Sequence, residues 1–453
     1  MLISTGCTSQ SGIRSGTETN QPLTTTALQS NPTPPYSGPD TGIYYVSPSG
    51  DDNNPGTAQQ PWKTFQHAAS AVKPGSTVYL HAGTYDEEVR LETSGSDTAP
   101  VTFMSAPGEM ATVKSLQFLR GVSNIRIKDF RVNGFANWGI TVHGDNRNLQ
   151  FSGLDISNGE CGIKFTRGES GKPPAQGPVS DIIVENSKIT GSKYPGIDCT
   201  PGPCNNMIFR GLEISGSGLG EGVNFGGDGI GIEKGDHITV EGCSIHDNGG
   251  DGIDLNSRDK TGNIPGIVVR NNQVFRNHEQ GIKLWGGGRM EKNVIWGQGI
   301  NPVLGCVYDC TLDVEQNTIA YNMWAPEFAH RDYATTFGYP EESGPQKPNI
   351  ALTLKGNIFA FNTREEPTGI YMGPGVRLIA ERDNIFYSRP DEEILAVFLQ
   401  DRSITRDEIN SGEWSKLSGM GQGDLSIDPQ FVAGWPDVDL HLKPGSPAEG
   451  KGA

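Results

Sequence analysis

The chain has 453 residues, of which 61 are glycine and only 34% hydrophobic, and its formal net charge is −17. So much glycine with so little apolar residue argues for one long repeating unit with a thin core rather than several globular domains. The acidic balance and the lack of a basic stripe exclude nucleic-acid binding. No apolar run approaches the ~20 residues of a membrane-spanning helix.

Residues 8–41 are rich in Thr, Ser, Pro, Asn and Gly, so residues 1–41 read as a disordered tether. At its head, Leu2-Ile3-Ser4-Thr5-Gly6-Cys7 resembles the end of a bacterial lipoprotein signal. Ser4 stands where leucine is usual, and no basic region precedes it. The resemblance implies lipidation at Cys7, a secreted or cell-surface lipoprotein, and membrane contact only through that anchor.

From residue 42 the pattern changes. A strand near Tyr44–Ser47 and a helix-like segment, Phe65–Val72, predict an N-terminal cap over about 42–115. Repeat proteins need such a cap because an open coil exposes strand edges. A Gly-Ile pair then recurs at Gly139-Ile140, Gly162-Ile163, Gly196-Ile197, Gly229-Ile230, Gly252-Ile253 and Gly281-Ile282, at intervals of 23 to 34 residues. Second short strands accompany it, among them Ile182-Ile183-Val184 and Ile238-Thr239-Val240. Period-two alternation bounded by Gly, Asn and Asp predicts strands and turns with almost no helix. The fold class is therefore all-β, a parallel β-helix of about ten coils over 42–453, right-handed by the crossover rule. A further row ends in Asn272, Asn293, Asn317, Asn357 and Asn384, an asparagine ladder in which each amide can bond the next.

Within this scaffold Cys199 and Cys204 flank a Pro-Gly turn, and Cys306 lies four residues before Cys310. In an exported protein these are two candidate local disulfides. Cys161 and Cys243 lie too many coils apart to bridge. Strand parity turns Asp254 outward between Ile253 and Leu255, and Lys283 outward between Ile282 and Leu284 one coil along. Asp198 shares that position two coils earlier, with Gly231 between. Asp228 and Asp251 precede glycines at matching corners. Any one Asp-Gly here reads as an Asx turn. Together, carboxylates stacked ~5 Å apart repel unless a cation separates them. Calcium suits an all-oxygen, irregular site. Asp228, Asp251 and Asp254 are thus candidate ligands and Lys283 a candidate base. Trp285, Arg258, Arg289 and Asp198 are candidate substrate contacts, with Lys260 nearby. Farther on, residues 391–423 interrupt the repeat with a charged, partly helical insertion (Ile394–Leu399, Thr405–Ile409), so 391–453 forms a C-terminal insertion and cap.

Gly250-Asp251-Gly252-Ile253-Asp254, Asp228, and Gly281-Ile282-Lys283-Leu284-Trp285-Gly286 together resemble the family 9 polysaccharide lyases, right-handed β-helix enzymes acting on pectate and similar polyuronates. So does the opening Tyr44-Tyr45-Val46-Ser47-Pro48-Ser49-Gly50-Asp51 with Pro61-Trp62-Lys63-Thr64-Phe65. The resemblance covers about residues 42–445 and implies calcium on Asp228, Asp251 and Asp254, with Lys283 as base. Gly250 departs from it where the family carries a first acid, and Trp285 is an insertion. A monomeric, calcium-dependent lyase cleaving an acidic polysaccharide by β-elimination is the reading that follows. The alternatives are an epimerase or glycoside hydrolase on the same fold, or a non-catalytic glycan-binding protein.

Overall fold

A computed structural model describes residues 42–453 apart from 170, 220–225, 257–263, 323–334, 338–347, 361–369, 374, 388–394, 400, 401, 435 and 436. The tether, Cys7, Arg258 and Lys260 lie outside the described residues. Among the described residues, no helix is long and apolar enough to cross a membrane.

The chain coils into a right-handed parallel β-helix. Among the described residues, one face is a 13-stranded parallel sheet, a further 23 strands form a second set, and Phe431–Ala433 pairs with Asp439–Leu442 in a separate two-stranded sheet. The second set comprises two stacks joined at Ala111–Phe118, which pairs with both Phe130–Val132 and Trp138–His143. The thirteen strands of the first face exceed the ten coils expected, because Ile43–Val46, Thr77–Leu80 and Val101–Ser105 already belong to it. Repeating coils thus begin inside the segment read as a cap. The helix Phe65–Ala71 covers their end, started by Thr64, whose hydroxyl accepts from the His67 N–H. Its Phe65 ring lies 5.2 Å from that of Phe103 and 5.8 Å from that of Phe130, in the first core layers.

Strands of three residues suffice because each keeps one or two apolar side chains inward, in register with those of the neighbouring rungs. Ile197, Ile230, Ile253 and Ile282 stack in consecutive rungs, each 0% exposed. Full burial stabilises such a side chain by roughly 1.5–3 kcal/mol, so the thin core works through repetition. The asparagine ladder is present. Asn272, Asn293, Asn317 and Asn357 each donate a side-chain amide to the next member's Oδ1 at 2.9–3.0 Å, and Asn384 ends the run. It closes on Asp424, whose Oδ1 accepts the Asn384 backbone N–H at 2.7 Å. A second ladder, Asn248–Asn277–Gln298, was missed from sequence, because glutamine at its third step breaks the pattern.

At the C-terminal end, Leu395–Leu399 is a strand, not the helical segment expected. Its backbone continues the sheet alongside Ile370–Met372, and pairing to an existing edge outweighs the weak helical preference of so short a run. Thr405 does start a helix, Arg406–Asn410, through a capping box with Glu408.

Candidate metal centre

The site lies on the face where outward residues of successive rungs form the row Lys164, Asp198, Gly231, Asp254, Lys283. The expected order from Asp198 to Lys283 is present, and Lys164 extends it. Asp228 and Asp251 occupy one corner position, since Gly196 donates to the Asp228 carbonyl and Gly229 to that of Asp251, both at 2.9 Å. Gly231 lets the two rows meet. A Cβ added there would lie 3.1 Å from Asp228 Oδ2, so the Asp228 side chain occupies the space that the missing side chain leaves. The Asp251 N–H donates to Asp228 Oδ1 at 2.8 Å and holds the carboxylate there.

The result is a closed acidic cluster. Asp228, Asp251 and Asp254 each offer an oxygen, all within 4.8 Å of one another, and all three residues are buried. Outward from the core therefore does not mean exposed to solvent. Lys283 Nζ donates to Asp251 Oδ2 at 2.7 Å and to Asp254 Oδ2 at 3.5 Å, while the Gln280 N–H donates to Asp251 Oδ1 at 2.7 Å. Asp228 Oδ2 and Asp254 Oδ1 are buried with no hydrogen-bond partner, an expensive state for carboxylate oxygen.

Electrostatics follow from this crowding. Burial, then the Asp251 and Asp254 charges, push the Asp228 carboxyl well above its ordinary range. Burial lifts Asp254 to about 6 against the pull of Lys283. For Lys283, burial pulls down, but Asp251, Asp254 and Asp228 outweigh it and hold the ammonium well above its usual value. Burial alone would lower Lys283 toward the working value of a base. It does not do so while the carboxylates face it. Glu279, missed from sequence, is pushed up to about 7 by burial and then by Asp251, with Lys283 opposing. A hard, oxygen-seeking dication fits this donor set, because three buried carboxylates each bring an oxygen within 4.8 Å of the others, two of them carry an unpartnered oxygen, and no soft ligand is among them.

The other candidates separate. Asp198 is 1% exposed, bonded to Lys164 Nζ at 2.6 Å and to the Thr200 hydroxyl at 2.7 Å. The expected substrate contact at Asp198 is therefore replaced by a buried ion pair, and Lys164 carried no sequence signal beyond its row. Trp285 is half-buried beside Lys283, its ring 5.7 Å from Lys283 Nζ and 6.1 Å from the Tyr308 ring. Arg289 lies on the 13-stranded sheet, paired with Glu291 at 2.7 Å and Glu315 at 3.8 Å, so its guanidinium is committed away from the cluster. Cys199 is joined to Cys204 and Cys306 to Cys310, with Cα separations of 6.5 and 6.0 Å. Cys161 and Cys243 are buried, and burial raises the Cys243 thiol to about 12.

Comparison with known proteins agrees with this architecture. A family model described as "Pel9A-like, right handed beta helix region" matches residues 44–188, and one described as "Right handed beta helix region" matches 138–319. The uncharacterized protein YwoF of Bacillus subtilis is 28% identical over 149 residues, 33% of this chain and 29% of that protein. Pectate lyase PEL9 of Emericella nidulans is 26% identical over 215 residues, 47% of this chain and 48% of the enzyme. The chain thus spans about half the length, or less, of these curated relatives. Among solved structures, the A-module of the Azotobacter vinelandii mannuronan C-5 epimerase AlgE6 aligns over 81% of this chain and 93% of its own. Its TM-score is 0.54 at 15% identity, a likeness of fold. Family models, relatives and rung geometry together identify the chain as a pectate lyase-like right-handed parallel β-helix protein.

Proposed function

We propose that this protein is a secreted, calcium-dependent polysaccharide lyase that cleaves a uronate-containing chain by β-elimination. One observation carries the reading. Lys283 Nζ stands 2.7 Å from Asp251 and 3.5 Å from Asp254, beside two carboxylate oxygens with no partner. The similarity to a pectate lyase supports the substrate class.

Asp228, Asp251 and Asp254 would hold the ion. Calcium supplies the positive charge that draws in a uronate carboxylate and acidifies the proton on the adjacent carbon. Lys283 does the protein's part of the chemistry. With its partner carboxylates engaged elsewhere, the amine keeps only the burial that lowers its proton affinity, as a working base requires. Its lone pair takes the proton. The C–H electrons form a carbon–carbon double bond, and the glycosidic C–O bond breaks with its electrons leaving on oxygen. That oxygen recovers a proton from solvent or from the Lys283 ammonium, and no water adds to the sugar. The half-buried Trp285 ring flanks the amine and restricts water around it.

Ultraviolet absorbance of the unsaturated product, followed across a panel of polyuronates with calcium and with chelator, tests this. Absorbance that requires calcium and Lys283 is the expected result. Silence from folded, calcium-loaded protein across the panel would sink the lyase reading in favour of an epimerase or a glycan-binding protein.

A further inference from the structure

Beside the corner row of Asp228 and Asp251 runs a second row, one residue earlier in each rung. Its members are Gly227, Gly250, Glu279 and Ile300, tied by N–H donation from Gly250 to Gly227 at 3.1 Å, Glu279 to Gly250 at 3.2 Å and Ile300 to Glu279 at 3.0 Å. Successive members are therefore one strand spacing apart, ~4.8 Å. At Gly250 a side chain could enter only by displacing Asp228. A Cβ there would collide with Asp228 Oδ1 and lie 3.1 Å from the Asp228 nitrogen, so the Asp228 carboxylate has taken that space. The row's next side chain is Glu279, one rung along on the Lys283 side. Glu279 is half-buried, and the N–H of the next residue, Gln280, donates to Asp251 Oδ1 at 2.7 Å, so the chain at Glu279 runs directly beside the cluster.

Three aspartates leave a six- to eight-coordinate cation short of protein oxygens, and two of their own oxygens are buried without partners. We infer that Glu279 contributes a fourth carboxylate to the divalent cation held by Asp228, Asp251 and Asp254, in place of the side chain that Gly250 lacks. This rests on the calcium site proposed above. Glutamate suits the task because its extra methylene spans the added distance from the next rung.

The experiment uses full-length protein stripped with chelator and titrated with calcium alone by calorimetry, with folding checked by circular dichroism. Wild type, Asp251→Asn, Glu279→Gln and Glu279→Asp are compared. Expected are binding by wild type, loss in Asp251→Asn, and affinity about 10- to 100-fold weaker in Glu279→Gln. Glu279→Asp, which keeps the charge but withdraws it, is expected between wild type and Glu279→Gln. Wild-type affinity in folded Glu279→Gln, with Asp251→Asn silent, would leave the calcium site standing and remove Glu279 from it. Should Glu279→Gln not fold, affinity in Glu279→Asp equal to or above wild type overturns the inference. Absence of binding by wild type overturns the calcium site and the Glu279 inference together.

Discussion

Replacing Lys283 with methionine removes the cation that, among the described residues, bonds two of the three buried carboxylates, while keeping the side chain's length and apolar stem. Asp251 and Asp254 side chains are 2% and 4% exposed and Lys283's is 13%, so water screens little of the interaction. Removing one partner of such a buried pair costs about 3–5 kcal/mol. The penalty depends on pH. Asp254 already has a pKa of about 6 in the fold, above its ordinary 3.8. An acid raised in this way contributes most at low pH and loses stability as pH rises through the folded value. Without Lys283 the cluster's proton affinity rises further, and at pH 5.5 the acids take up protons and shed much of the penalty. At pH 8 they must ionise unpaired or hold protons against the solution. Urea denaturation with chelator is therefore expected to show a deficit near the full ~3–5 kcal/mol at pH 8 and a clearly smaller one at pH 5.5. Calcium at about 100 times its dissociation constant should return roughly 2.7 kcal/mol, giving a folded, calcium-binding protein without lyase turnover. A Lys283→Met protein within ~0.5 kcal/mol of wild type at pH 8 in chelator would refute the claim that Lys283 neutralises the cluster.

Three other outcomes are expected. Gly250→Asp should weaken calcium binding in calorimetry, despite adding an acid, because its Cβ must displace the Asp228 carboxylate; tighter binding would contradict the crowding. Asn317→Ala strands the buried Asn293 amide and the Met290 and Glu315 carbonyls, and at ~1–3 kcal/mol for each buried group left unpaired should lower the denaturation midpoint more than any exposed asparagine does. Burial, with Asp424 beside it, raises Glu381 to about 10, so it folds with its proton held and loses stability as pH climbs from its ordinary range toward that value. Relative to wild type, Glu381→Gln should gain stability between pH 5 and pH 9 by up to ~1.4 kcal/mol per pH unit, and a flat difference would place the carboxyl in contact with solvent.

Parity and composition carried the fold and one row of the site. In a strand of Ile-x-Ile or Ile-x-Leu, the middle residue must leave the core, so Asp198, Gly231, Asp254 and Lys283 could be aligned by reading along the chain, and the asparagine row likewise. What such reading cannot supply is how rows lean on one another. Rung lengths vary, so the Gly227–Gly250–Glu279 row becomes visible only through backbone hydrogen bonds between rungs. That Asp228 fills the space over Gly231 and stands where a Gly250 side chain would go is a matter of ångström-scale packing. Arg289 lies six residues from Lys283, yet the chain turns at Gly287, with φ +81°, onto another sheet and delivers it to Glu291. Asp198 shares the row of Asp254, yet the neighbouring lysine neutralises it. Local alternation decides which way a side chain points. Its charge, partners and access to water depend on residues one rung away, brought there by coiling, and those belong to the tertiary structure.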